Sequence, residues 1–219
     1  MSSKFLSEQR EFERWLTEAA AALRVDDLGR FLLDKNAHIS RRIRVAGTLG
    51  EIKREEAVVY LRQALESTDE TDLLCPMMLA LGRILGAGAT QDVRPFLDSR
   101  SPTVRQFAFI VEAYVGDLSI EERMMAEWAK ITKAAKGRQP LSTTEVLRYL
   151  GRHFDSFEPA LQSRILREGP RVCERASSKS WIEHYWPGLS GTGEPRPSRR
   201  LVNEVLEDEF RAPDVSIEE

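Results

Sequence analysis

Cysteine and histidine are scarce in these 219 residues, with two of the first and three of the second. Cys75 and Cys173 stand far apart among apolar residues with no Cys-x-x-Cys near either. That pattern excludes a disulfide framework and a zinc ribbon, and it predicts two buried thiols acting as small hydrophobes. His38, His153 and His184 fall in separate segments without an i, i+4 pair, so no metal site is expected and no cofactor is assigned. The Gly-x-Ser-x-Gly elbow, the P-loop and the dinucleotide-binding glycine pattern are all missing. Gly86-Ala87-Gly88-Ala89, the one glycine-rich stretch of note, follows a helical pattern instead of a strand and reads as a turn.

No stretch approaches the roughly 18 apolar residues of a membrane span. Met1-Ser2-Ser3-Lys4 leads into Phe5-Leu6-Ser7-Glu8 without a signal-like apolar core, so the cytoplasm is the expected location. A dominant charge is lacking as well: 32 Lys and Arg oppose 35 Asp and Glu, for a net charge of −3. A bulk positive field for nucleic acid is therefore absent. The charges are unevenly spread, however. Residues 130–175 hold ten cations and five anions, whereas residues 201–219 hold one and seven. Such a pairing predicts attraction within the chain before it predicts an external polyanion.

What is present is repetition. Leu49-Gly50-Glu51-Ile52 returns as Leu81-Gly82-Arg83-Ile84, 32 residues on, each time closing an apolar helical stretch. A third copy enters at Ser101-Pro102-Thr103-Val104-Arg105 and stops at Gly116. A period of this length is one helix pair that cannot bury its own face, so pairs must stack.

Helical spacing recurs along the chain: Phe12, Trp15, Leu16, Ala19 and Leu23; Ile43, Ala46, Leu49 and Ile52; Leu74, Met77, Met78, Leu81 and Leu85. Arg41, Arg42 and Arg44 are expected mostly on the opposite, outer side of their helix. Pro76 is placed in a first turn, and Pro159 and Pro170 are read as first-turn prolines of two short helices. Ser142 with Glu145 has the spacing of a capping box. Trp15, Trp128 and the other aromatics at helical spacing are expected in the core.

The pattern predicts an all-α chain with a helical repeat domain over residues 1–187 and a flexible Gly/Pro linker over 188–198. An acidic, amphipathic C-terminal helix carrying Leu201, Val202, Val205, Leu206 and Phe210 follows over 199–219. That helix is expected to dock on its own body or in a partner's groove.

Leu97-Asp98-Ser99-Arg100-Ser101-Pro102-Thr103-Val104-Arg105-Gln106-Phe107-Ala108, together with the two Leu-Gly pairs, resembles the HEAT-repeat superfamily over roughly residues 36–117. The resemblance implies a right-handed α-solenoid, here of about five to six helix pairs. Cys75-Pro76 departs from the family's Val-Arg, which puts the ladder of Asp and Arg between repeats in question there. The tetratricopeptide repeat has a similar period, but its landmark residues do not align.

A solenoid recognises partners over the face lined by its second helices. On that basis Glu55, Arg62, Gln63, Glu66, Asp92, Arg94 and Arg123 are expected to face another protein, in a non-catalytic adaptor or scaffold. A narrower version is an immunity protein or chaperone neutralising a toxin or effector. The resemblance also admits an alkylpurine DNA glycosylase or DNA-binding protein, with Trp128, Lys130, Lys133, Lys136 and Arg138 as the patch and Trp181, Tyr185 and Trp186 stacking on bases.

Overall fold

The protein, a computed structural model, is described over residues 3–135, 138–174, 179–191 and 193–198, and is all-α with no strand among them. It divides into two compact units, one reaching Phe107 and one beginning at Ala108. The acidic C-terminal helix expected over 199–219 lies outside the described residues.

The first unit holds α1 (Ser3–Ala21), α2 (Val25–Leu33), α3 (Ile39–Ile52), α4 (Val58–Glu66), α5 (Thr71–Leu85) and the short α6 (Thr90–Val93), followed by a 3₁₀ turn, Arg94–Asp98. Helices α1, α3 and α5 pack side by side, and α2 packs beside α4 in a second layer. Between the layers Leu28, Leu32, Leu49, Leu61, Leu73, Met77, Met78 and Leu81 are wholly buried.

The repeated Leu-Gly has a physical reason here. Leu49 and Leu81 fill the core, while Gly50 lets α3 meet α5 so closely that a Cβ would lie 2.8 Å from the Ala80 Cα. Helices α1, α3 and α5 are each followed by a residue of positive φ, Leu23 (φ 50°), Lys53 (φ 49°) and Gly86 (φ 55°). After α1 the turn is closed by Arg24 N–H donating to the Ala19 carbonyl at 2.9 Å, a Schellman-type stop.

The structure corrects several expectations. Arg42 is not on the outer side. It is 3% exposed, donates from Nε to the Leu32 carbonyl at 2.8 Å, and so satisfies a carbonyl left open at the end of α2. Pro76 lies inside α5, beyond the first turn, because the helix begins at Thr71. Pro170 likewise sits inside one continuous helix instead of opening a second. The stretch Thr71–Asp98 is long and apolar enough to cross a membrane by length and composition, its most apolar 18 residues having a mean hydropathy of 1.5. That apolar window is 56% buried inside the structure, so its apolar character serves the core of this unit.

The second unit contains most of α7 (Pro102–Val115), then α8 (Glu121–Lys133), α9 (Thr143–His153), α10 (Pro159–Cys173) and α11 (Lys179–Tyr185). Helix α8 packs on α9 and on α10, and the 3₁₀ turn Pro187–Ser190 packs on α10 and α11. Trp128, Trp186, Tyr114 and Tyr149 are its largest buried side chains.

The segment expected as a linker folds back in this unit. Trp186 Nε1 donates to the Pro195 carbonyl at 2.8 Å, and Ser198 N–H donates to the Tyr185 carbonyl at 2.7 Å. Cys75 and Cys173 are free and buried, and burial pushes both thiols up to about 11. Both therefore remain protonated, uncharged core residues at neutral pH.

Candidate interaction surface

Helix α4 shows why the second layer is a surface as well as a support. Ala57, Val58, Leu61, Ala64 and Leu65 are buried, and the helical repeat then leaves Val59, Arg62, Gln63 and Glu66 on the opposite, exposed face. Val59 is 61% exposed, an apolar residue in a polar row.

Two polar contacts, each close to one repeat long, tie the second helices together. Tyr60 Oη donates to Asp26 Oδ1 at 2.8 Å, linking α4 to α2. Its ring lies over Gly29, where a Cβ would come within 2.2 Å of it. On the other side Arg62 grips Asp92 of α6 with both arms, Nε to Oδ1 at 2.8 Å and Nη2 to Oδ2 at 2.9 Å. A bidentate pair fixes orientation as well as distance. Glu13 with Arg44 makes the corresponding link between α1 and α3, at 2.9 Å.

Of the residues expected to face a partner, Arg62, Glu66 and Asp92 come together around a shallow depression of about 230 Å³ that Leu65, Pro95 and Phe96 also line. Gln63 shares their helix face. Glu55 is exposed in the 3₁₀ turn leading into α4, and Arg94 is exposed in the turn after α6. Arg123 differs: it belongs to the second unit and is half-buried. Its guanidinium lies 5.2 Å from the centre of the Phe109 ring and 3.3 Å from Glu127 Oε2. A larger depression, about 400 Å³, lies between the α1–α2 and α3–α4 turns of the first unit. Its charges are satisfied locally by Arg24 with Asp27 and Arg54 with Glu56.

The second unit holds polar groups that sequence reasoning did not single out. Glu127 is a hub: it accepts from Lys130 Nζ at 2.8 Å and Arg123 Nη1 at 3.3 Å through one oxygen, and from Ser142 Oγ at 3.0 Å through the other. Ser142 therefore ties the start of α9 to α8 and does not close a capping box on its own helix. The i−4 and i+3 spacing of Arg123 and Lys130 around Glu127 was a readable signal.

At the end of α7 the Gly116 carbonyl accepts from both Arg152 Nη2 and His153 Nε2, the latter at 3.0 Å. Tyr149 Oη donates to the Asp117 carbonyl at 2.9 Å, and Arg148 donates to Tyr114 Oη. These contacts join α9 to the end of α7 over 32 to 37 residues, again about one repeat. Among the described residues no three His, Cys, Asp or Glu side chains converge as a metal site.

These groups set a pH dependence. Burial first, and then the neighbouring Arg152 charge, hold the His153 imidazole below its ordinary 6.5, although the Gly116 carbonyl and Asp117 oppose them. Burial alone would raise the Glu127 carboxyl, but hydrogen bonds from Lys130, Ser142 and Arg123 outweigh it and bring the group below 4.5. In both cases the unfolded chain takes up its proton first as pH falls, so stability is full above the unfolded values and lost below them. Thermal melts should therefore show a decline beginning below about pH 6.5 and a second one below about pH 4.5. Replacing His153 with Gln should flatten the first decline and leave the second. An unchanged upper limb would exclude His153 as its source.

No family model matches the chain, and no curated protein or solved structure is found to resemble it.

Proposed function

We propose that this chain is a non-catalytic adaptor that holds another protein on the face built by α4, α6 and the turn after α6. In this reading the stacked hairpins continue as a right-handed, HEAT-like solenoid, and the exposed row is its recognition surface. The observation that carries it is the Arg62–Asp92 pair. It locks neighbouring hairpins in register and leaves Val59, Gln63 and Glu66 displayed on a rigid helix. Mixed charge around a small apolar depression suits a mixed-charge partner that inserts one apolar side chain.

Buried residues support a binding role over a base-stacking one. Trp128 and Trp186 are fully buried, and Lys130 is held by Glu127, so neither ring offers a face to a nucleobase. The side chain of Trp181 and Lys136 lie outside the described residues.

The test is a quantitative capture from native extract with the full chain, comparing wild type with Val59→Asp and Glu66→Arg. A stoichiometric partner should be lost by about tenfold or more with either variant, the scale of a damaged interface centre. Recovery of the same partner at undiminished yield by both variants would overturn the assignment of this face.

A further inference from the structure

Helix α10 carries Arg164, Arg167 and Arg171 at i, i+3 and i+7, which places them along one side of the helix. Arg164 is engaged by Glu168 at 3.1 Å, whereas Arg167 and Arg171 are exposed and have no ion-pair partner among the described residues. The connector before α9 adds to this face. Gln139 Nε2 reaches the Val172 carbonyl at 3.5 Å, which brings the connector to the last turn of α10, and Arg138 is its neighbour in sequence. Helix α8 packs on α10, with Trp128 Nε1 bonded to Glu168 Oε2 at 2.7 Å, and its last turn ends in Lys133. Arg138 and Lys133 are exposed and also have no ion-pair partner among the described residues. Two residues beyond Gln139, Leu141 is 68% exposed, the most exposed large apolar side chain described. Four cations without an ion-pair partner among the described residues, on α10, at the end of α8 and on the connection that meets the last turn of α10, together with the exposed Leu141 of that connection, suit an occupant that is both acidic and apolar.

The chain carries such a segment. Residues 201–219 contain seven Asp or Glu and one Arg. Within them Leu201, Val202, Val205, Leu206 and Phe210 alternate at helical spacing with Glu204, Glu207 and Asp208. Glu207 and Asp208 stand three and four residues after Glu204, so the three acids share one side of a helix. The described chain ends at Ser198, which is pinned to Tyr185 at the end of α11. Helix α11 and α10 both pack on the turn Pro187–Ser190, and Gly169 of α10 lies against Leu189 there. The 21 residues that follow could span roughly 70 Å if extended, against about 22 Å for the 15 residues of α10. Reach is therefore ample. The tether also supplies an effective concentration on the order of millimolar, so individually weak ion pairs suffice for docking.

We infer that the acidic C-terminal segment docks on this basic face of the second unit, along α10 and the α8–α9 connector. It thereby covers Leu141 and neutralises Arg138, Arg167 and Arg171. This inference does not rest on the adaptor reading, whose surface lies on the first unit, so either can fail alone.

Zero-length carbodiimide cross-linking of the full chain, mapped by mass spectrometry, tests it. The reagent joins a lysine amine to a carboxylate in direct contact with it and leaves no spacer. Lys133 should join to a carboxylate between positions 204 and 209 within one chain at low salt. The yield should fall by roughly tenfold in Arg167→Glu/Arg171→Glu, and again in about 1 M salt, where exposed charge pairs are screened. Adding Glu204→Lys/Glu207→Lys/Asp208→Lys to the first variant reverses both partners. That combination should restore protection of the α10 amides from hydrogen exchange, which the arginine variant alone loses. Three results would overturn the inference: no such cross-link, a yield indifferent to the α10 charges, or joining only between isotopically distinct chains. The last would make the occupant a second copy. Both α10 arginines are exposed, so an unchanged far-UV circular dichroism spectrum separates lost docking from lost folding.

Discussion

Valine in place of Gly50 should destabilise the first unit by about 3 kcal/mol, at the upper end of the range for overpacked cores. A Cβ at this position would fall 2.8 Å from the Ala80 Cα and 2.9 Å from its Cβ. The nearest obstacle is thus backbone on a neighbouring helix, not the end of a flexible side chain. Relief requires α3 and α5 to separate, and those two helices carry Leu49, Met77, Met78 and Leu81 into the core. Gly47 provides the control on the same helix. A Cβ there meets nothing within 4 Å, so Gly47→Ala should gain a few tenths to about 1 kcal/mol from helix propensity alone. Urea denaturation followed by circular dichroism reads both changes, with midpoints moving in opposite directions. A Gly50→Val midpoint equal to wild type would mean that α3 and α5 are not in this close contact.

The same glycine shows how much of the fold was legible in the sequence. The recurrence of Leu49-Gly50 as Leu81-Gly82 announced an all-α chain with two buried leucines, and at Gly50 the missing side chain is what lets α3 lie close against α5. Contacts such as Tyr60 to Asp26 and Arg62 to Asp92, 34 and 30 residues apart, carry the same period. The errors came where one residue type has two uses. Arg42 looked like an outward charge, yet its long stem crosses buried surface and its guanidinium answers the Leu32 carbonyl. Ser142 looked like a cap, yet its hydroxyl has a better acceptor in the Glu127 carboxylate. Pro76 and Pro170 looked like helix starts, because local rules cannot show that packing on both sides will carry a helix through a proline.

The candidate surface divides along the same line. Arg62 and Glu66 were legible because exposed positions on α4 follow directly from its apolar stripe, whereas Asp92 is half-buried on the short α6 beneath Arg62. Arg123 was misplaced: its i, i+4 spacing to Glu127 was readable, but nothing local showed that the Phe109 ring also lies beneath its guanidinium. The carboxylate that organises the second unit was overlooked for a related reason. The spacing of Arg123 and Lys130 pointed to Glu127, but its burial and the Ser142 hydroxyl that reaches it from 15 residues away were visible only in the fold.

Trp128→Ala should be the most damaging single change in the second unit, at about 3 to 5 kcal/mol. The indole is wholly buried between α8 and its neighbours, and its Nε1–H is bonded to Glu168 Oε2 at 2.7 Å. Truncation removes a large apolar volume and that donor together. Trp128→Phe separates the two effects. It keeps most of the ring volume, so its cost should be nearer 1 to 2 kcal/mol, the sum of a small cavity and one lost hydrogen bond to a charged acceptor. Glu168 retains Arg164 at 3.1 Å in either variant and is not left as an isolated charge. Thermal melts should therefore rank wild type above Phe and Phe above Ala, with the larger gap between Phe and Ala because volume outweighs the hydrogen bond. If the two variants melt together well below wild type, the bond to Glu168 and not core volume is what holds α8 against α10. The α10 arginines would then owe their placement to that one polar contact.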